Sequence, residues 1–181
     1  AILDTGVDGS HPDLVTQMVP GWNVYDNNAT TVDVQAHGTA VAGTAAAAGN
    51  NAIGVASVAW QSRIMPIRIS DTAGYATGYS IANGLTWAAD HGAHVANISF
   101  AGVPGNSTVD SAAQYFKGKG GVTIVAAGND GSNQSIAPTG NMVIVSATDS
   151  NDLITAWSNY GNHINIAAPG QNLLTTMRGG G

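Results

Sequence analysis

Six short runs, at residues 1–3, 63–69, 94–100, 121–127, 141–147 and 163–167, are rich in β-branched and apolar side chains. Several are apolar almost throughout, with no alternation of apolar and polar positions, as in "GVTIVAA" at 121–127. A strand with one wet face alternates; a strand that is apolar on both sides must be covered on both sides. Between some of these runs the period changes to that of a helix. Over 79–91, Ile81, Leu85 and Ala88 recur at four and three residues, with Gly92 placed to close the end. Over 108–117, Val109, Ala112, Ala113 and Phe116 share a face, and Gly118 reads as the stop. Strands alternating with helices predict an α/β fold: three layers, with a mostly parallel central sheet flanked by helices.

The 181 residues suit one domain. Hydrophobic residues make up 44% and charged residues only 9%, the composition of an ordered globule rather than a disordered chain. Five Lys and Arg against 11 Asp and Glu give a net charge of −6, which argues against nucleic acid or an anionic membrane as partner. The absence of Cys excludes a disulfide framework, a thiol nucleophile and a zinc–thiolate site. No apolar run approaches the roughly 20 residues that span a bilayer. The chain opens inside a strand and closes on three glycines, so a domain truncated at both ends is expected.

On parallel sheets, ligands gather beyond the carboxyl ends of the strands. Asp4, Ser99 and Asn129 stand where predicted strands stop. In "AILDTGVDGSHPDL" an acid follows a buried strand directly and precedes a tight Thr-Gly turn; alone, it reads equally well as a turn cap. In "HGTAVAGTAAAAG" His37 opens a helix of very small residues, which lets the helix press close to its neighbours; alone, it reads as an ordinary Ala-rich helix. In "GVTIVAAGNDG" an apolar strand ends in Gly128 and Asn129, whose carboxamide offers uncharged N–H donors suited to an oxyanion; alone, it reads as a loop Asn. An acid holding an imidazole, that imidazole as general base, and a carboxamide donor make up most of an acyl-transfer site.

These three motifs resemble those of the subtilisin-like serine endopeptidases, the subtilases, in the same order along the chain. "DTGVDGSHPDL" is similar to their aspartate motif, "HGTAVAG" to their histidine motif and "AAGN" to their oxyanion motif. The resemblance implies that Asp4 orients His37, that His37 relays the serine proton to the leaving amine, and that Asn129 donates to the tetrahedral oxyanion. It implies that Ser99, Phe100 and Ala101, with Ala126, Ala127 and Gly128, line the primary specificity pocket. The small, uncharged character of those segments suits an apolar or aromatic residue. Gly74, Tyr75 and Ala76 match the strand that pairs with an extended polypeptide substrate. Where the family usually carries a second histidine this chain has Ala40, which is not one of the three catalytic groups.

"AAGNNAIGVAS" resembles the family's calcium loop, and Asp13 matches its acidic ligand. The implied ligands are the Asp13 and Asn51 side chains and the carbonyls of Ala48, Ile53 and Val55. The loop is longer here than in the family, so Asn50 and Asn51 both stand in range. The resemblance further implies a secreted, monomeric enzyme.

The family's "GTSMA" nucleophile motif does not occur. Ser99, Ser146 and Ser158 stand in other settings, and the 181 residues alone are expected to be inactive. Two other readings stay open. One is a peptide-binding module that keeps the groove without the chemistry. The other is an aspartic protease, since Asp4-Thr5-Gly6 fits that family too; it requires two such aspartates and an all-β fold.

Overall fold

The computed structural model describes residues 1–180. Seven strands form one sheet: β1 (Ile2–Asp4), β2 (Trp22–Asn23), β3 (Pro66–Arg68), β4 (Val95–Ile98), β5 (Val122–Ala126), β6 (Met142–Thr148) and β7 (Ile166–Pro169). Their order is β2-β3-β1-β4-β5-β6-β7, and every strand pair is parallel. Three helices accompany them: α1 (His37–Ala46), α2 (Gly78–Asp90) and α3 (Ser107–Gly118). The expected α/β architecture with a parallel central sheet is the one observed.

Alternation along β1 assigns the layers. Leu3 belongs to the large core with Ile81 and Leu85 of α2 and Val109 and Phe116 of α3, all on one face of the sheet. Ile2 belongs to a smaller cluster with Ala42 and Ala46 of α1, on the other face. Successive side chains of a strand point to opposite sides, so Asp4, two residues after Ile2, faces the α1 side. Ala96, Ile98, Val125 and Ile144 lie in the large core. Asn97, Ser99, Ile124 and Ala126 therefore face the same way as Asp4.

Two helix ends follow local chemistry. The Thr77 hydroxyl accepts from the Ser80 N–H, and the Ser80 hydroxyl accepts from the Thr77 N–H, a reciprocal cap at the start of α2. Asn106 accepts from the Thr108 and Val109 N–H groups at the start of α3. The stop of α3 differs from expectation: Gly118 is its last helical residue, and the left-handed turn falls at Gly120, φ 90°. Two short pieces were not anticipated, β2 and a 3₁₀ turn at Val15–Gln17. With two and three residues, neither is long enough to show a period.

The slimness of α1 has more than one cause. Ala42, Ala46 and Ala47 pack in the small core against Ile2 and Ile64, as expected. The two glycines answer to other neighbours. A Cβ on Gly38 would lie 2.0 Å from the Gly6 carbonyl oxygen, and one on Gly43 would lie 2.1 Å from Thr176 Oγ1. The segment at 175–178 thus crosses α1 in near-contact, and Thr176 donates to the Thr39 carbonyl at 2.7 Å.

The sheet order fixes where a site can form. From β1 the chain moves toward β3, whereas from β4 it moves the opposite way, to β5. The two sets of loops part beyond the carboxyl ends of β1 and β4 and leave a crevice there. Asp4 ends β1 and Ser99 follows β4, on either side of it.

Candidate active site

Asp4 is fully buried, an expensive place for a carboxylate unless it is bonded. Its Oδ1 accepts from the Thr5 N–H at 2.8 Å and from His37 Nδ1 at 2.7 Å. Oδ2 is buried without a hydrogen-bond partner. The bond to ionised Asp4 requires the proton on His37 Nδ1, which leaves the lone pair of the neutral ring on Nε2. Nε2 forms no hydrogen bond among the described residues. The Asp4 bond raises the proton affinity of His37 above the ordinary imidazole value; partial burial opposes this, and the charges of Asp4 and Asp33 add to it. The arrangement is that of a general base whose orientation is fixed from behind.

That fixing extends to a residue the sequence reading missed. Asp33 is 1% exposed and lies four residues before the His37 helix. Its carboxylate accepts from the N–H groups of Gln35, Ala36 and Thr39, from the Thr39 hydroxyl and from the Thr5 hydroxyl. Thr5 Oγ1 in turn accepts from the Gly38 N–H at 3.0 Å. One buried acid therefore ties the segment carrying Asp4 to the start of α1. Burial alone would raise its pKa, but the bonds from Thr39, Gln35 and Thr5 outweigh this and hold it below the usual carboxylate range. The clamp encloses Ala36, whose φ of 72° is left-handed and unusual for alanine. The signal for Asp33 was a cap residue set back by several positions from the helix start, in a stretch without regular period.

Two connected recesses share the imidazole. A groove of about 230 Å³ is lined by Thr5, Gln35, His37, Ala73, Gly74, Ser99, Phe100 and Ala101. The Phe100 ring stands edge-on to His37, centroids 6.4 Å apart. A second recess of about 440 Å³ includes His37, Ser99, Ala126, Ala127, Gly128 and Asn129. Asn129 is exposed, and its carboxamide forms no hydrogen bond among the described residues. Ser99 and Asn129 thus line one recess with His37, and Asp4 lies buried behind the imidazole.

The segment Gly74-Tyr75-Ala76 needs correction. It forms no strand. Tyr75 donates to the Asp71 side chain and accepts at its carbonyl from the Asp71 N–H, and Gly74 donates to the Asp71 carbonyl, which closes a tight turn. Gly74 lines the groove, Tyr75 is 77% exposed outside that lining, and Ala76 packs against the large core. Among the described residues, the Gly74 carbonyl and the Ala76 N–H and carbonyl form no hydrogen bond.

The residues of the expected calcium loop also come together. Asp13, 1% exposed, accepts from Asn51 Nδ2 and from the Val55 N–H, each at 2.7 Å, and its carbonyl accepts from Ala48. The Ile53 N–H donates to Asn51 Oδ1 at 3.4 Å, and residues 50–56 line a concavity of about 350 Å³. The sequence left Asn50 and Asn51 open; Asn51 is the one bonded to Asp13. Three left-handed residues, Asn50, Ala52 and Gly54, coil the loop around that acid. No salt bridge pairs Asp13 among the described residues. Both Asp13 carboxylate oxygens meet N–H donors in this arrangement; the carboxylate and the Asn51 carboxamide are of the ligand types that a hard cation takes.

Two further residues escaped the sequence reading. Asn159, 2% exposed, meets the loop that carries Asn129. His163, 1% exposed, has neither ring nitrogen bonded. The serines considered as nucleophiles are not bonded to His37. Ser99 Oγ accepts from Asn97 at 2.9 Å, and Ser158 Oγ accepts from the Ala147 N–H. The aspartic-protease alternative fails on two counts: the fold is α/β, and the partner of Asp4 is an imidazole rather than a second acid.

Comparison with known proteins gives the family. The chain is 42% identical over 178 residues to thermitase of Thermoactinomyces vulgaris, covering 97% of this chain and 64% of thermitase. It is 40% identical over 181 residues to a thermophilic serine proteinase of Bacillus sp. (strain AK1), covering 99% of this chain and 45% of that protein. It therefore spans less than two thirds of the length of these relatives. Among solved structures it superposes on sphericase with a TM-score of 0.88 at 29% identity, over 99% of this chain and 68% of that one. A cold-adapted subtilisin-like serine proteinase gives 0.85 at 29% identity, over 97% and 63%. Residues 1–180 match the Subtilase family, and the chain belongs to it.

Proposed function

We propose that this chain is part of a serine endopeptidase in which Asp4, His37 and Asn129 act on a peptide carbonyl. The observation that carries this is the 2.7 Å bond from His37 Nδ1 to buried Asp4, on a ring that lines the same recess as Asn129. His37 Nε2 takes the proton of an attacking serine hydroxyl and returns it to the leaving amine, while Asp4 stabilises the imidazolium. Asn129 donates to the oxyanion that forms in between. No serine among the described residues is bonded to His37, so the hydroxyl comes from outside these 181 residues. The chain alone is inactive.

Substrate lies extended between Gly74 and the segment Ser99-Phe100-Ala101. The unused Gly74 carbonyl and Ala76 N–H are one edge of a strand-like pairing. The recess lined by Ala126, Ala127 and Gly128 takes the side chain preceding the scissile bond, and its small neutral walls suit an apolar or aromatic one. A polypeptide is the substrate; secretion and a monomeric state follow the family resemblance.

The experiment is hydrolysis of a peptide amide by the full-length protein with a serine-directed acylating inhibitor. Turnover abolished by the inhibitor and by His37→Ala supports the reading. Turnover indifferent to both contradicts it. A full-length protein that binds peptides in the groove without cleaving them is instead the binding module.

A structural calcium ion belongs to the same reading, held by Asp13, Asn51 and the carbonyls of Ala48, Ile53 and Val55. When bound it neutralises the buried Asp13 and rigidifies the coiled loop. Chelation is expected to lower the Tm of the full-length protein, and Asp13→Asn to abolish that dependence. A Tm that ignores chelator removes calcium from the account.

A further inference from the structure

Asn129 is exposed and unbonded, yet an oxyanion donor works only when it is held in place before the charge develops. What holds it lies behind it. The side chain of Asn159 is nearly fully buried and uses its whole hydrogen-bonding capacity. Its Nδ2 donates to the Ala127 carbonyl and to the Asp130 carboxylate, both at 3.1 Å. Its Oδ1 accepts from the Asp130 N–H at 2.9 Å and from the Ser132 N–H at 3.3 Å. Its backbone N–H donates to the Gly128 carbonyl at 3.0 Å. The residues immediately before and after Asn129 are thus both fastened to Asn159, while Asn129 itself is left free to face the cleft.

Gly128 completes the contact. Its φ is 100°, and a Cβ there would lie 2.5 Å from Asn159 Nδ2. The carboxamide of Asn159 therefore occupies the space that any side chain at 128 would need.

We infer that Asn159 is a positioning residue for the oxyanion donor: it fixes the strand-to-loop turn 127–132 from behind and so aims the Asn129 carboxamide. The inference rests on the endopeptidase reading and adds to it a second carboxamide that touches neither substrate nor the reacting atoms. Asn159 acts on the transition state, where the oxyanion exists, and not on substrate binding in general.

The test is a double-mutant cycle in the full-length enzyme, with the concentration of competent enzyme set by titration with an acylating inhibitor. Asn159→Ala is expected to lower kcat about 10- to 100-fold, the scale of a small misplacement of a catalytic group, with KM changed less than about twofold. In the Asn129→Ala background the same substitution is expected to change kcat less than about twofold, because the group it positions is gone. Gly128→Ala, which intrudes on the same contact from the other side, is expected to lower kcat in the same background-dependent way, while its KM is left out of the test because Gly128 also lines the substrate recess. An equal loss in both backgrounds, or a loss in KM alone, overturns the inference. So does failure of both variants to fold, since the bonds would then serve the whole domain. If the unsubstituted protein cleaves no peptide, or His37→Ala leaves cleavage intact, the endopeptidase reading falls and the positioning role with it. If those controls behave and only the cycle is additive, the positioning role falls alone.

Discussion

The cleft has two halves built on different physical terms. On one side Asp4, His37 and Asp33 form a charged unit, two buried acids around one imidazole. On the other, Asn129 and Asn159 form a neutral unit, one carboxamide exposed and the other buried. Each half has a rear clamp: Asp33 accepts five hydrogen bonds around the start of α1, and Asn159 makes its bonds around residues 127–132. In the proposed endopeptidase the difference follows from the task. A base must be tuned in proton affinity, which charge does and dipoles do weakly. An oxyanion donor must meet a charge that is absent in the ground state, and a fixed neutral dipole does so without attracting counter-ions beforehand. The backbones differ in the same sense: the neutral half takes its left-handed turn at Gly128, φ 100°, and the charged half at Ala36, φ 72°, held by the Asp33 bonds.

The largest expected contrast between the halves is in kcat. In the full-length enzyme Asp4→Asn is expected to cost on the order of 10⁴-fold, by presenting the wrong tautomer of His37. Asn129→Ala is expected to cost about 10²- to 10³-fold. Steady-state kinetics on a peptide amide measures both, and equal losses would erase the distinction drawn here.

Asp33→Asn separates the halves by pH. His37 has a raised proton affinity partly because of the Asp33 charge. Removing that charge shifts the acid limb of kcat/KM to lower pH, while Asn159→Ala leaves the limb where it was. The groups around His37 that bear on this are Asp4, Asp33 and Arg178, whose guanidinium holds the Asp33 carbonyl at 2.8 Å. An acid limb that stays put in Asp33→Asn would make that residue a mere cap. Stability follows the same shifts. The raised pKa of His37 contributes stability present below its unfolded value and lost as pH rises through the folded one. The depressed pKa of Asp33 contributes stability present above its unfolded value and lost as pH falls through the folded one. Denaturation midpoints across pH for His37→Ala and Asp33→Asn read the opposite signs.

The smallest effect is at the backbone. Ala36→Gly removes a left-handed penalty of about 1–2 kcal/mol and adds a chain-entropy cost of about 0.5–1 kcal/mol, for a net gain between about 0 and 1.5 kcal/mol. Chemical denaturation measures it; a loss of stability would show that the turn is not strained.

What the sequence made legible tracks how local the signal is. α2 and α3 were readable because their apolar positions recur over about two turns, as with Val109, Ala112, Ala113 and Phe116, and the buried strands because they are apolar almost throughout. Asp4, His37 and Asn129 were readable because each sits at a strand end or helix start within a short, specific motif. The clamps were not. Asp33 and Asn159 act across 28 and 29 residues, on Thr5 and Asp130, and neither lies in an element with a period. The substrate edge was half readable: Gly74 is in place, but the turn that Asp71 makes with Tyr75 has no hydrophobic pattern to announce it.

The claim that both halves serve one tetrahedral centre is tested most directly by a crystal structure of the full-length enzyme bound to a peptide boronic acid. The account predicts Asn129 Nδ2 within about 3 Å of one boronate oxygen, with His37 Nδ1 still on Asp4 and Nε2 turned to the adduct. A boronate bound elsewhere, or one in this cleft with the Asn129 carboxamide directed away from it, would contradict the account.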